Sequence, residues 1–213
     1  MTDVNTPPLR TAVVIPVGAL ESAKSRLGGN LDAEERRDLV LGLLERTLAA
    51  ALATPAIAAT FVVSPDDEIL ALANAAGARV IRQVSRGLNQ GLDEARHVAV
   101  EEGAQALLVL PSDLPDVSPA AIGDIVAVLA TSPPPIVAIV PDRHGRGTNA
   151  LLLAPPDVID FAFGGDSRAA HRHAADAVCT RVVELDGPLG LDLDTPEDLL
   201  LVQSGATRVA SGR

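Results

Sequence analysis

Aromatic residues are almost missing. The 213-residue chain has no Trp, no Tyr and three Phe, which argues against recognition of nucleobases by stacking on aromatic side chains. Its single cysteine, Cys179, excludes an internal disulfide and a thiolate metal cluster. In "AVCTRVVEL" it reads as a small core residue. Basic side chains are outnumbered, 17 against 28 acidic, for a formal charge of −11. This argues against a general nucleic-acid binder, which needs a basic face. A phosphorylated small substrate is not excluded, but it then needs local positive charge or a metal ion. No run of 18 apolar residues occurs, so no membrane span is expected. The opening "MTDVNTPPLR" lacks the basic-then-apolar layout of a secretory leader, and the expectation is a cytoplasmic protein. Three motifs are absent as well: no G-x-x-x-x-G-K-[ST], no G-x-G-x-x-G after the first strand, and no G-x-S-x-G.

What is present is apolar and alternating. At 47% hydrophobic residues the chain can bury one sizeable core. Short runs rich in Val, Ile and Leu predict strands at 11–17, 59–64, 78–83, 106–113, 135–142, 148–155 and 180–185. Helical patterns fill the intervals at 31–53, 65–77, 88–104, 118–131, 167–177 and 195–205. Asp32 and Glu35 form a capping-box pair. Ser118–Pro119 and Thr195–Pro196 read as N-cap and first helical residue. The alternation predicts an α/β class: a single domain with a mostly parallel central sheet flanked by helices. Residues 11–204 form that domain, between a flexible N-terminus at 1–10 and a flexible tail at 205–213.

In such sheets the ligand lies beyond the carboxyl ends of the strands. "GALESAKSRLGG" follows the first strand and carries Lys24 and Arg26, suited to phosphate oxygens; otherwise it is a solvated basic loop. "PSDLPD" follows the strand at 106. Asp113 stands there as a Mg²⁺ ligand or as turn chemistry, and Asp116 shapes the next helix start. In "GLDLDTPEDL", Asp192 and Asp194 are two apart and share a side in extended chain. Either one can complete a metal site with Asp113. "PDRHGRGTNALLL" offers Arg143, His144, Thr148 and Asn149 to an anionic substrate, or is simply a tight hairpin. "FGGDS" sets two glycines before Ser167 at a helix start, an anion site or a bland cap. His171 and His173, i and i+2 on a helix, do not face one another and are set aside as zinc ligands.

Together, "VVIPVGALESAKSRL", "RGLNQGL", "VLPSDLPDVSP", "VPDRHGRGTNALLL", "FGGDSRAAH" and "LDLDTPEDL" resemble the 2-phospho-L-lactate guanylyltransferases. Their bacterial phosphoenolpyruvate branch is included, and both serve biosynthesis of the deazaflavin coenzyme F-420. The resemblance spans roughly residues 11–203 and implies a Rossmann-like nucleotidyltransferase fold. It implies Mg²⁺-dependent transfer of GMP from GTP to phosphoenolpyruvate, or to 2-phospho-L-lactate or 3-phosphoglycerate, with release of pyrophosphate. By the same resemblance Asp113 and one of Asp192 or Asp194 hold Mg²⁺, and Lys24 and Arg26 grip the triphosphate. Gly87, Leu88, Asn89 and Ser112 meet the nucleotide. Thr148, Gly164 and Ser167 take the carboxylate and phosphate of the acceptor, beside Arg143, His144 and Asn149. A homodimer is compatible with this picture.

One position departs from the family pattern: Gly18 stands where members usually carry lysine. Two other readings therefore accompany the main one. One is a related nucleotidyltransferase acting on molybdopterin or a sugar phosphate. Against molybdopterin, the first loop lacks G-x-S-x-R-M-G-x-[ND]-K. The other is a non-catalytic nucleotide-binding homologue.

Overall fold

Seven strands form one sheet in the order β3-β2-β1-β4-β6-β5-β7. The computed structural model describes residues 8–22, 27 and 29–204. Its strands are β1 (Thr11–Pro16), β2 (Ile57–Ser64), β3 (Arg79–Arg82), β4 (Ala106–Val109), β5 (Ile136–Pro141), β6 (Thr148–Ala154) and β7 (Arg181–Glu184). Among the described residues six α-helices flank them: α1 (Ala33–Leu52), α2 (Asp67–Ala75), α3 (Leu88–Glu101), α4 (Pro119–Thr131) and α5 (Ser167–Ala177) between strands, and α6 (Pro196–Ser204) after the last. Among the described residues no helix is long and apolar enough to cross a membrane.

The central strands are almost wholly apolar, β4 at every position, because both faces of the sheet are covered. Val13 and Ile15 of β1 join one core layer with Leu44 and Leu48 of α1 and Ile122 of α4. Ala12 and Val14 point the other way, to Leu92 and Ala95 of α3 and Phe161. Each fully buried Val, Leu or Ile contributes about 1.5–3 kcal/mol by leaving water. Pairing is parallel except around β6, which is antiparallel to both β4 and β5. The hairpin reading of 135–155 therefore holds inside a mostly parallel sheet.

Helix starts follow the expected signals. Asp32 Oδ1 accepts from Glu35 N at 2.9 Å, and Glu35 Oε2 accepts from Asp32 N at 2.8 Å. Ser118 accepts from Ala121 N at 3.2 Å ahead of Pro119. Three expectations need correction. The fourth strand ends at Val109, not at 113, because Pro111 has no N–H for the ladder after Leu110 N donates to Val14 O. Asp113 thus sits in a loop. Cys179 is exposed, not buried, at φ 53. It takes the left-handed turn that ends α5, with Thr180 N reaching back to Ala175 O at 2.9 Å. In the N-terminal stretch expected to fray, Leu9 packs on the core and Arg10 is bonded to Gln105 in both directions. Residues 1–7 and the tail at 205–213 lie outside the described residues.

Candidate active site

The parallel strands β1, β2, β4 and β5 all end at one edge of the sheet, and β6, running backward, starts there. This topology gathers the loops that carry the unusual polar residues. A cavity of about 320 Å³ opens between the ends of β1 and β4. Val17, Gly18 and Ala19 form one wall, Pro111, Ser112 and Asp113 another, and Leu88 and Asp194 complete it with α1. Val17 N continues the sheet bonding to Val63 O at 3.0 Å. A Cβ placed on Gly18 meets no atom within 4 Å, so crowding does not explain the glycine.

Asp113 and Asp194 line that cavity together because their loops are stitched: Leu193 N donates to Asp113 O at 3.0 Å. Asp192 is the third carboxylate. Burial raises its pKa, and the charges of Asp113 and Asp194 raise it further. Asn149 opposes this weakly, its amide 3.5 Å from Asp192 Oδ1 and 3.0 Å from Leu189 O. Three hard oxygen donors in mutual repulsion are what a divalent cation relieves. Among the described residues no group of three or more His, Cys, Asp or Glu side chains is placed to hold a metal ion by itself.

The "DLD" loop is anchored by Asp198, in the first turn of α6. Asp198 Oδ2 accepts from Asp194 N at 3.0 Å, Thr195 N at 2.7 Å and Thr195 Oγ1 at 2.8 Å. Its other oxygen pairs with Arg143 at 2.5 Å, and the side chain is only 4% exposed. Burial pushes this carboxyl up, but the bonds from Thr195 and Asp194 and the Arg143 charge bring it below the ordinary value. The T-x-x-D spacing was the available signal, a capping box in miniature. Arg143 is therefore committed to Asp198. His144 beside it is exposed and accepts from Arg143 Nε at 3.1 Å.

Thr148 and Asn149 part company at a β-bulge. Val140 pairs with Ala150, but Pro141 pairs with Thr148, leaving Asn149 as the extra residue. Asn149 reaches Leu189 and Asp192, while Thr148 Oγ1 lies 3.1 Å from His171 Nδ1. Ser167 is buried one turn ahead of His171 on α5. Gly164 holds φ +149 in the turn before it, a conformation that side chains rarely adopt. Gly87 caps α3 at φ +100, and Gln83 Nε2 donates to its carbonyl at 2.8 Å. Asn89 spends its amide on the backbone of Phe163, donating to its oxygen at 3.1 Å and accepting from its N–H at 2.9 Å. It thus braces the turn that leads to Gly164. Lys24 and Arg26 lie outside the described residues.

The "Guanylyl transferase CofC like" family model matches residues 11–208. The chain belongs to this family. Among the CofC-like guanylyl transferases, the phosphoenolpyruvate guanylyltransferase of Sphaerobacter thermophilus is 42% identical over 193 residues, covering 90% of this chain and 91% of that protein. The phosphoenolpyruvate guanylyltransferase of Rubrobacter xylanophilus is 42% identical over 192 residues, covering 90% and 92%. The CofC-like chain also shares its fold with a solved structure from Desulfovibrio desulfuricans G20, described as a candidate nucleotide-diphospho-sugar transferase. That likeness has a TM-score of 0.74 at 18% identity, over 94% of this chain and 89% of that one.

His171 gives this domain a pH signature. Burial lowers its pKa from 6.5 to about 4. The neutral ring is the folded form, so the full stability is present above about pH 6.5 and is lost as the pH falls toward 4. The loss is on the order of 3 kcal/mol at one proton per molecule. Glu184 acts lower: Arg168, then Arg172, hold it at about 2, so its contribution fades only between about pH 4.5 and 2. Thermal midpoints measured from pH 7.5 to 4 are expected to fall through the first window. In His171→Gln that limb is expected to flatten. An unchanged slope in the variant would assign the limb to another group.

Proposed function

We propose that this protein transfers GMP from GTP to phosphoenolpyruvate, giving enolpyruvoyl-2-diphospho-5′-guanosine and pyrophosphate in F-420 biosynthesis. The observation that carries the proposal is the carboxylate group Asp113, Asp192 and Asp194 at the mouth of a nucleotidyltransferase sheet, in a chain 42% identical to phosphoenolpyruvate guanylyltransferases. A phosphate oxygen of the acceptor attacks the α-phosphorus of GTP. The bond from that phosphorus to the β-bridging oxygen breaks, and pyrophosphate leaves with the electron pair. The nucleophile arrives with the substrate, so no side chain need be acylated, phosphorylated or deprotonated. Catalysis is positioning and charge stabilisation.

Asp113 with Asp192 or Asp194 would hold Mg²⁺, which supplies charge neutralisation at the phosphates. Ser112 and Leu88, the first residue of α3, line the cavity and are assigned with Gly87 to the nucleotide. Lys24 and Arg26 follow β1 in sequence and are assigned to the triphosphate. Thr148, Gly164 and Ser167 take the acceptor's carboxylate and phosphate, with Asn149 steadying Asp192 between the two substrates. A reaction fed by GTP and phosphoenolpyruvate fits a cytoplasmic protein.

The test is pyrophosphate release with Mg²⁺ from GTP, ATP or CTP, each paired with phosphoenolpyruvate, 2-phospho-L-lactate or 3-phosphoglycerate. GTP with phosphoenolpyruvate is expected to exceed every other pair by at least about tenfold, a difference of 1.4 kcal/mol in transition-state binding. Preference for another acceptor would move the proposal to that acid. Silence in all nine pairs, from folded protein that still binds GTP, would favour the non-catalytic reading that Gly18 raises.

A further inference from the structure

His171 is fully buried, yet both of its ring nitrogens are engaged. Ala162 N donates to Nε2 at 3.0 Å. A backbone amide can only donate, so Nε2 must be an unprotonated acceptor. A neutral imidazole then carries its proton on Nδ1, and burial keeps the ring neutral. The 3.1 Å contact to Thr148 Oγ1 is therefore Nδ1–H donating to the hydroxyl oxygen. Phe163 stacks edge-on against the ring at 4.9 Å and holds it in this orientation.

The consequence falls on Thr148. Its oxygen accepts from His171, so its own proton is the free end of the hydroxyl. Among the described residues that proton has no acceptor, although Thr148 is only 7% exposed. The bulge at Asn149 turns Thr148 to the α5 side, where Ser167 is buried one helical turn from His171. A fixed N–H behind a hydroxyl makes that hydroxyl a directed donor. Such a group suits an anionic oxygen, a carboxylate or phosphate, and does not suit a group that must donate.

We infer that His171 is a positioning residue of the acceptor site, which holds the Thr148 hydroxyl as an obligate donor to an anionic oxygen of the small acid. The inference rests on the proposed reaction and on Thr148 lying in its acceptor site. It also gives Ala162 and Phe163 a shared purpose. His171 from α5 holds Ala162 N, Asn89 from α3 holds both polar groups of Phe163, and Gly164 follows at once.

Steady-state kinetics separate this role from simple packing. His171→Gln keeps an oxygen where Nε2 accepts from Ala162 and removes the donor to Thr148. It is expected to raise the KM for phosphoenolpyruvate about tenfold, with kcat and the KM for GTP within about twofold of wild type. His171→Asn places its amide where Nδ1 stood and is expected to recover part of that loss. Thr148→Val is expected to raise the same KM at least as much. Adding His171→Gln to Thr148→Val is expected to cost nothing more, because the residue acts through the hydroxyl. Nitrogen-15 shifts of the imidazole give a readout independent of turnover, with the proton expected on Nδ1. A proton on Nε2, a fully additive double variant, or His171→Gln with wild-type kinetics would overturn the inference alone. A wild-type protein inactive with every acceptor would overturn the proposed reaction and this role with it.

Discussion

Asp113→Asn lowers kcat/KM for GTP and phosphoenolpyruvate by about a thousandfold or more, while the thermal midpoint stays within a few degrees of wild type. The two halves of this expectation have separate causes. The tie between the "PSD" and "DLD" loops runs through the backbone oxygen of residue 113, which accepts from Leu193 N and survives the substitution. An amide in place of the carboxylate also relieves Asp192, whose pKa is raised in part by the Asp113 charge. Folding therefore loses little. Turnover loses a hard, charged oxygen at the point where two anionic substrates meet, and a thousandfold corresponds to about 4 kcal/mol. Activity within tenfold of wild type would remove Asp113 from the metal site.

Asp198→Ala unfolds the other half of the acidic loop. It removes the acceptor of three hydrogen bonds and leaves Arg143 facing an empty partner. Taking one partner from a mostly buried ion pair costs roughly 3–5 kcal/mol, and the helix cap is lost with it. Arg143 is 28% exposed and can turn to water, so about 3 kcal/mol is expected. For a chain of this length that lowers the thermal midpoint by about 6–12 °C. Activity below the melting range should fall as well, because Asp198 holds Asp194 N and so sets where the Asp194 carboxylate enters the cavity. Arg143→Met is the control. It removes the ion pair but keeps the cap, and is expected to cost less than half as much. Equal costs would show that the ion pair, not the cap, holds the loop.

Local signals were legible wherever one interaction decides the outcome. The Asp32–Glu35 pair and Ser118–Pro119 start their helices because the unsatisfied N–H groups of a first turn take whatever oxygen lies three residues back. The buried strands were legible because both faces are apolar. The edge that collects Asp113 and Asp194 follows from parallel topology alone, without any long-range contact being known; Thr148 joins them because β6 is antiparallel and starts there.

Long-range partners were not legible. Cys179 reads as core from its apolar neighbours, but it falls where α5 must reverse into β7, and turn geometry overrides hydrophobicity there. Arg143 reads as an anion-binding residue because its partner, Asp198, lies 55 positions away and is brought to it only by the fold. Asn89 reads as a nucleotide contact because nothing local reveals that Phe163 takes its amide. His171 was set aside through its neighbour His173, although Ser167, His171 and Ala175 at i, i+4 and i+8 already mark one buried face. The bulge at Asn149 has no sequence signature of its own. It decides which way Thr148 faces, toward His171 on α5.

The central claim is that the α-phosphorus of GTP ends on the phosphate of phosphoenolpyruvate. The most direct measurement is the fate of label from GTP carrying ³²P at the α-phosphate, incubated with the protein, Mg²⁺ and phosphoenolpyruvate. The account predicts one labelled product containing both guanosine and enolpyruvate joined by a diphosphate, formed in equal amount with pyrophosphate and about a thousandfold slower with Asp113→Asn. Label recovered as GMP, or left in GTP while phosphoenolpyruvate goes unconsumed, would contradict it.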